Sequence, residues 1–353
     1  MKNVFLVLLS IVILHSISHA TIRRVGYFGP PVAGVDFPNF QEAHDASNPG
    51  DTIMMHPGSR FGTATMSIKL VVIGPGYFLS QNANLQANAL GMDSTSFGGT
   101  LSISNATANG SVFVGCTISA NGINITGDNI ADITFQRCWL LGNTNSGAYG
   151  VTLVSSASNI TFQQCAFKGS GVSAQGSATG SNISFINCLF YVNNFGTGIH
   201  FSNGLPHSGF LRNCIFNSFS GGSFNFVLDG AWLIQNSIAN NANNNFNSAG
   251  ITFQNCIGTS IQFPAGNGNQ QNKPWENIFT LTGSADAQYT LKAGSPAIGA
   301  GIGGTNCGIF GGTAPYKLSG IPSVPTIYAL NSPQGNTPTV NTVQINLSTR
   351  SNN

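Results

Sequence analysis

What most restricts the fold of this chain is a short pattern that keeps returning. Residues 158–167 read SNITFQQCAF, and ADITFQRCWL, SNISFINCLF, SGFLRNCIF and GITFQNCI repeat the shape. With the cysteine as a ruler, the positions are Cys116, Cys138, Cys165, Cys188, Cys214, Asn236 and Cys256, at spacings of 22, 27, 23, 26, 22 and 20 residues. Three residues earlier stand Phe113, Phe135, Phe162, Phe185, Leu211, Leu233 and Phe253. Within one repeat Ile160 and Phe162 alternate with Thr161 and Gln163, a period of two and therefore a strand. The period then slips by one, because Cys165 and Phe167 form the next buried pair. A slip of that kind turns every later side chain to the wrong face unless the chain bends there. The bend falls at Gln164, Asn187, Asn213 and Asn255, and Asn is the non-glycine residue that best tolerates left-handed backbone angles.

Each repeat holds a further strand-like piece, such as INI at 123–125, VTL at 151–153, IHF at 199–201 and FNFVL at 224–228. Short strands, bends and this period describe a coil of strands in which stacking buries what no single repeat buries alone. The fold expected is all-β, a right-handed parallel β-helix with an amino-terminal capping helix. A leucine-rich repeat lacks its LxxLxL frame here, and a propeller blade needs about twice this period. Cys116, Cys138, Cys165, Cys188, Cys214 and Cys256 then form a column inside the coil, with turns about 4.8 Å apart. A disulfide wants Cβ atoms nearer to about 3.8 Å, so the column reads as a structural ladder of free thiols. Cys307 lies outside it. No CxxC or Cys/His spacing points to a metal site.

Composition supports strands. Charged residues make up 6% of the 353, hydrophobic residues 41%, and Gly accounts for 44 positions. The Lys, Glu and Arg that normally wet one face of a long helix are nearly missing, so Asn, Ser, Thr and Gln must build the surface. A formal charge of +2 offers no basis for steering nucleic acid or anionic membranes. Residues 1–20 have a short positive start, an apolar run from Val4 to Leu14 and a small-residue site at Ser18-His19-Ala20. That is the pattern of a secretory signal peptide cleaved after Ala20, which implies an exported chain, secreted or at the cell surface. No later stretch reaches the roughly 18 apolar residues of a transmembrane helix.

The remaining chain divides into a cap at 21–66, repeats at 67–262, an irregular closing segment at 263–321, and a tail or final strand at 322–353. In the cap, Asp36 is placed to cap a helix carrying Phe40, Ala43 and Ala46, ended by Asn48-Pro49-Gly50. Glu42-Ala43, Pro49-Gly50-Asp51-Thr52-Ile53 and Pro57-Gly58 resemble the amino-terminal signature of the pectate-lyase-like superfamily of secreted parallel β-helix proteins. YTLKAGSPAIGAGIGGTNCGIFGG at 289–312 resembles the closing segment of bacterial "choice-of-anchor" β-helix proteins, with Gly299 and Cys307 where acids usually stand. Together these likenesses span about residues 36–312. They imply fold and export, and leave activity open, since the superfamily mixes enzymes with binding and structural proteins.

Enzymes of that superfamily act on acidic polysaccharides. The resemblance implies that a lyase would gather carboxylates around Ca²⁺, and a hydrolase two or three facing acids. Between residues 102 and 262 the acids are Asp128, Asp132 and Asp229. Asp128 and Asp132 read as turn residues, Arg137 replaces the bend Asn, and Lys168 and Arg212 read as single surface cations. His200 and Asp229 are the candidate catalytic pair: both point outward on corresponding strands, within one or two residues of register, as acid–base chemistry or a surface pair would have them. The sequons at Asn105, Asn109, Asn124, Asn159 and Asn182 count for little, since the repeat itself generates the last two. The outward position after each ruler residue reads Thr117, Trp139, Ala166, Leu189, Ile215, Ser237 and Ile257, beside Ile186, Phe210, Trp232 and Ile234. Such an apolar stripe needs the chain's own loops or carboxyl-terminal segment as a cover, an oligomer contact, or a glycan on which Trp139, Trp232 and Phe210 stack. The reading is an extracellular β-helix scaffold, non-catalytic and without a cofactor, that binds polysaccharide or a cell-surface component. The alternative is a lyase or hydrolase acting on acidic polysaccharide, with Ca²⁺ in the lyase case.

Overall fold

The computed structural model describes residues 20–26, 34–58, 62–82, 85, 99–119, 122–142, 148–193, 198–219, 226–240, 246, 249–331 and 345–351. The proposed signal peptide lies outside these apart from Ala20.

The chain coils into three long parallel sheets. The first has ten strands, from Ile22–Val25 at one end to Ile251–Gln254 at the other, and the second and third have seven each. Every strand in these three sheets pairs in parallel with the strand one turn before or after it. A strip of three two-residue strands at 130–131, 157–158 and 180–181 lies where the chain passes from the third sheet to the first. This is the parallel β-helix that the repeat implies. Ile22–Val25 and Thr52–Met55 already pair in register in the first sheet. The segment 21–66 therefore supplies the first rungs as well as the cap.

The interior is built from columns. Phe113, Phe135, Phe162 and Phe185 stack with centroids 5.1, 4.9 and 4.9 Å apart. Phe167, Phe190 and Phe216 form a second stack at 4.4 and 5.2 Å. All seven cysteines are free and buried. Cys138, Cys165, Cys188, Cys214 and Cys256 each donate to a backbone carbonyl one turn earlier, at 3.3–3.5 Å, so the column is held by S–H···O=C bonds.

One turn departs from the sequence ruler. Ile238 pairs with Ile215 and Ile257, and Leu211 with Ile234. Ser237, not Asn236, is the cysteine equivalent, and the last spacings become 23 and 19 residues. Asn236 takes the bend instead, with φ 51°. A one-residue shift exchanges the faces of a strand. Trp232 and Ile234 therefore point inward, 3% and 0% exposed, and Ile238 replaces Ser237 in the outer column.

The cap also differs in detail. The helix is Phe40–Asp45, and its N-cap is Asn39, which accepts from Glu42 N and donates to Glu42 Oε1 at 2.7 Å. Asp36 instead accepts from Arg24 N at 2.8 Å. It thereby covers the outer edge of the first strand, which also pairs with Phe37. At the far end Asn269 accepts from Cys256 N and donates to Phe253 O, and Phe263 packs on Phe253. Among the described residues, both edges of the first sheet are thus covered.

Candidate functional site

The bend residues explain how one face of the coil is closed. Each has left-handed backbone angles, with φ between 51° and 57° at Arg137, Gln164, Asn187, Asn213, Asn236 and Asn255. Their side chains point out of the coil and meet the closing segment, which runs back along it. Arg137 donates to Ile321 O, Gln164 to Pro315 O and Asn187 to Ile309 O and Gly311 O. Asn213 donates to Asn306 O, Asn236 accepts from Ile302 N, and Asn255 donates to Ala300 O. A ladder of amides thus grips one strap of backbone, rung by rung. Arg137, in the bend position, is buried, and burial lowers its pKa.

Beneath the strap lies the apolar stripe. Ala166, Leu189, Ile215, Ile238 and Ile257 form a second core with Ile278, Phe279, Tyr289, Ala297, Cys307, Ile309 and Tyr316. Trp139 packs between Tyr77 and Phe78, with centroids 5.9 and 4.6 Å away. Asp286 anchors this cover: fully buried, it accepts from Ser284 Oγ, Asn82 Nδ2 and Ser319 N. The stripe's cover is the chain itself, so neither an oligomer nor a glycan is needed there. Trp232 is likewise unavailable as a platform; its ring packs on Phe201 at 5.4 Å and its Nε1 donates to Asp229 O. Of the three aromatic candidates, Phe210 alone stands on an outer face. It is half-buried on the ten-stranded sheet, with the Arg212 guanidinium 5.2 Å from its centroid.

His200 and Asp229 do not pair. His200 stands opposite Val227 and Ser173 in the third sheet, which places Asp229 two positions further along. The Asp229 carboxylate accepts from Gly204 N at 3.2 Å. His200 Nδ1 instead lies 3.1 Å from Tyr149 OH, with the two rings stacked at 6.1 Å. Ser173, on the rung before His200, is fully buried and its hydroxyl has no hydrogen-bond partner. Sequence reasoning missed both neighbours: Tyr149 lies outside the repeat, and Ser173 looks like any outward serine. His207 is the more engaged histidine. Its Nδ1 accepts from Gly180 N and its Nε2 faces Asn203 Oδ1, the neutral Nε2–H tautomer, and burial lowers its pKa against the opposing charge of Asp229.

Asp132 occupies a left-handed turn, as its sequence position implies, and starts a side-chain ladder: Asn159 Nδ2 donates to Asp132 and Asn182 Nδ2 to Asn159. Two of the sequon asparagines are thus tied into this ladder. Among the described residues no three His, Cys, Asp or Glu side chains gather as a metal site would have them.

The outer face of the ten-stranded sheet forms two straight columns. One runs Val112, Thr134, Thr161, Ser184, Phe210, Leu233, Thr252; the other runs Val114, Gln136, Gln163, Ile186, Arg212, Gln235, Gln254. Arg212 donates to Gln235 Oε1 and Gln235 to Gln254 Oε1, at 3.3 and 2.7 Å. From Thr134 to Gln254 this face carries one charge, on Arg212.

No family model and no curated protein sequence matches the chain. Solved structures similar to it include a pectin methylesterase from Aspergillus niger in deglycosylated form, with 12% identity, 76% of this chain and 88% of that one covered, and a TM-score of 0.42. The pectate lyase Pel9A is similar at 16% identity, over 81% and 93% of the two chains, with a TM-score of 0.45. Nothing about this chain's chemistry follows from likeness at that level.

Proposed function

We propose that this chain is an extracellular glycan-binding scaffold that presents the outer face of its ten-stranded sheet to a neutral polysaccharide. The observation that carries this is the pair of in-register columns. Thr and Gln offer donors and acceptors at the spacing of the strands, about 4.8 Å, and Phe210 adds an apolar contact among them. Amides and hydroxyls suit a polymer of hydroxyl groups, and one cation in so large an area gives an acidic polymer little to hold. Rigid presentation also lowers the entropy cost of binding. The test is retention of the chain on insoluble neutral and acidic polysaccharides. Neutral polymers should retain it, and Phe210→Ala or the pair Gln136→Ala and Gln163→Ala should release it.

A second reading, an enzyme acting on acidic polysaccharide, has one observation in its favour. Tyr149 OH lies 3.1 Å from His200 Nδ1, and the buried, unpartnered Ser173 hydroxyl stands on the rung before His200. Turnover of any polysaccharide that His200→Ala abolishes would establish that reading and displace the first.

A further inference from the structure

We infer that a second, smaller glycan contact lies at Asp128, on the edge where the third sheet turns toward the first, and that it takes a neutral pyranose unit. It rests on the glycan-binding reading above and adds a separate site to it. Three successive turns of the coil meet there. Asp128 and Asn129 come from one, Val154, Ser155 and Ser156 from the next, and Ser177 from the third, around an open depression of about 410 Å³. Small-molecule sites run from roughly 300 to 1,000 Å³.

The walls are set by the coil. Val154 N and Ser155 N both donate to Ile125 O, and Ala157 N donates to Thr179 O. Asn129 takes left-handed angles, φ 59°, and its carbonyl accepts from Asn109 Nδ2. The polar groups keep capacity for a ligand. Asp128 is exposed, and no side chain among the described residues bonds its carboxylate. Ser155 Oγ donates to Thr126 O and so keeps its acceptor sites. Ser156 Oγ accepts from Thr179 N and Oγ1, which leaves its own proton to give. Val154, 46% exposed, supplies an apolar wall.

These groups match a sugar ring. A carboxylate and an amide accept and donate at ring hydroxyls, and a valine packs against the C–H face. Charge selects among sugars: among the described residues the lining has one carboxylate and no Lys or Arg, so a uronate would meet repulsion.

The experiment is titration of the full chain with short soluble oligosaccharides, gluco-, manno- and galacto-configured neutral hexamers and a galacturonate hexamer, followed by calorimetry. At least one neutral hexamer should bind, and the galacturonate hexamer should bind more weakly. Asp128→Ala should weaken the neutral ligand about tenfold, the worth of one hydrogen bond to a charged group. Asp128→Asn should weaken it less, and Val154→Ser should also weaken it. Unchanged melting temperatures would show these variants folded. Failure of every neutral hexamer to bind, equal affinity of Asp128→Ala and wild type, or preference for galacturonate would each overturn the inference. The sheet-face reading fails separately, when Phe210→Ala leaves retention on polymer unchanged.

Discussion

At the residue scale the bend amides are the most consequential side chains in the chain. Asn187, at φ 53°, donates from one amide to Ile309 O and Gly311 O at 2.7 and 2.8 Å. Asn187→Gly keeps the bend and removes only these bonds, at a cost of roughly 1–3 kcal/mol. Asn187→Ala loses them too and, unlike the glycine variant, keeps a Cβ at left-handed angles, which costs about 1 kcal/mol relative to glycine. Urea midpoints of the two variants check both, and equal midpoints would mean the bend itself is not strained for alanine. His207 gives a pH signature. Its folded pKa lies below the ordinary value because burial disfavours the cation. The unfolded chain therefore binds more protons as pH falls below about 6.5, and stability drops on the acid side of that value. His56 is lowered in the same direction, so the test is the difference between wild type and His207→Gln. That variant should flatten part of the slope between pH 6.5 and 5, and an unchanged slope would contradict the assignment. The bend was legible in the sequence, because a slip in a period of two demands one. What the bend holds was not, since the strap lies about 120 positions further along from Asn187.

At the scale of elements, the closing segment covers the apolar stripe of the coil. The sequence shows an apolar stripe without its partner, and the segment from Trp275 to Ile321 supplies that partner from a region with no periodicity to read. The register of the sixth turn was misread for a related reason. Serine in place of cysteine leaves the ruler blank, and Asn236 sits one residue away. Trp232 then appears on the wrong face, and with it a platform that the structure turns inward. The thiols test this arrangement. Burial pushes Cys256 and Cys307 up to about 12, and thiolate is the reactive form. None of the seven cysteines should react with Ellman's reagent in the native chain, and all seven should react in denaturant. Ile309→Asp, which places a charge in the second core, should make Cys307 and Cys256 react first. Uniform reactivity across the column in that variant would show that strap and coil open together.

At the scale of the whole molecule, the coil is a stack of turns poor in charge. Among the described residues, Asp36, Phe37 and Asn269 cover the ends of its long sheet, and the strap covers its stripe. Among the described residues, the Thr/Gln face of the long sheet is left outward. The general coil was legible because its columns repeat; the candidate site was less so, because recognition there depends on which faces the non-repeating segments leave bare. His200 and Asp229 drew attention as the rare ionisable pair, yet two positions of register and the Gly204 amide keep them apart. The measurement that tests the central claim most directly is retention of the chain on insoluble neutral and acidic polysaccharides, with product release followed in the same wells. The account predicts retention on at least one neutral polymer, loss of it in Phe210→Ala, and no release of product. Retention confined to acidic polymers, or turnover lost with His200→Ala, would contradict it.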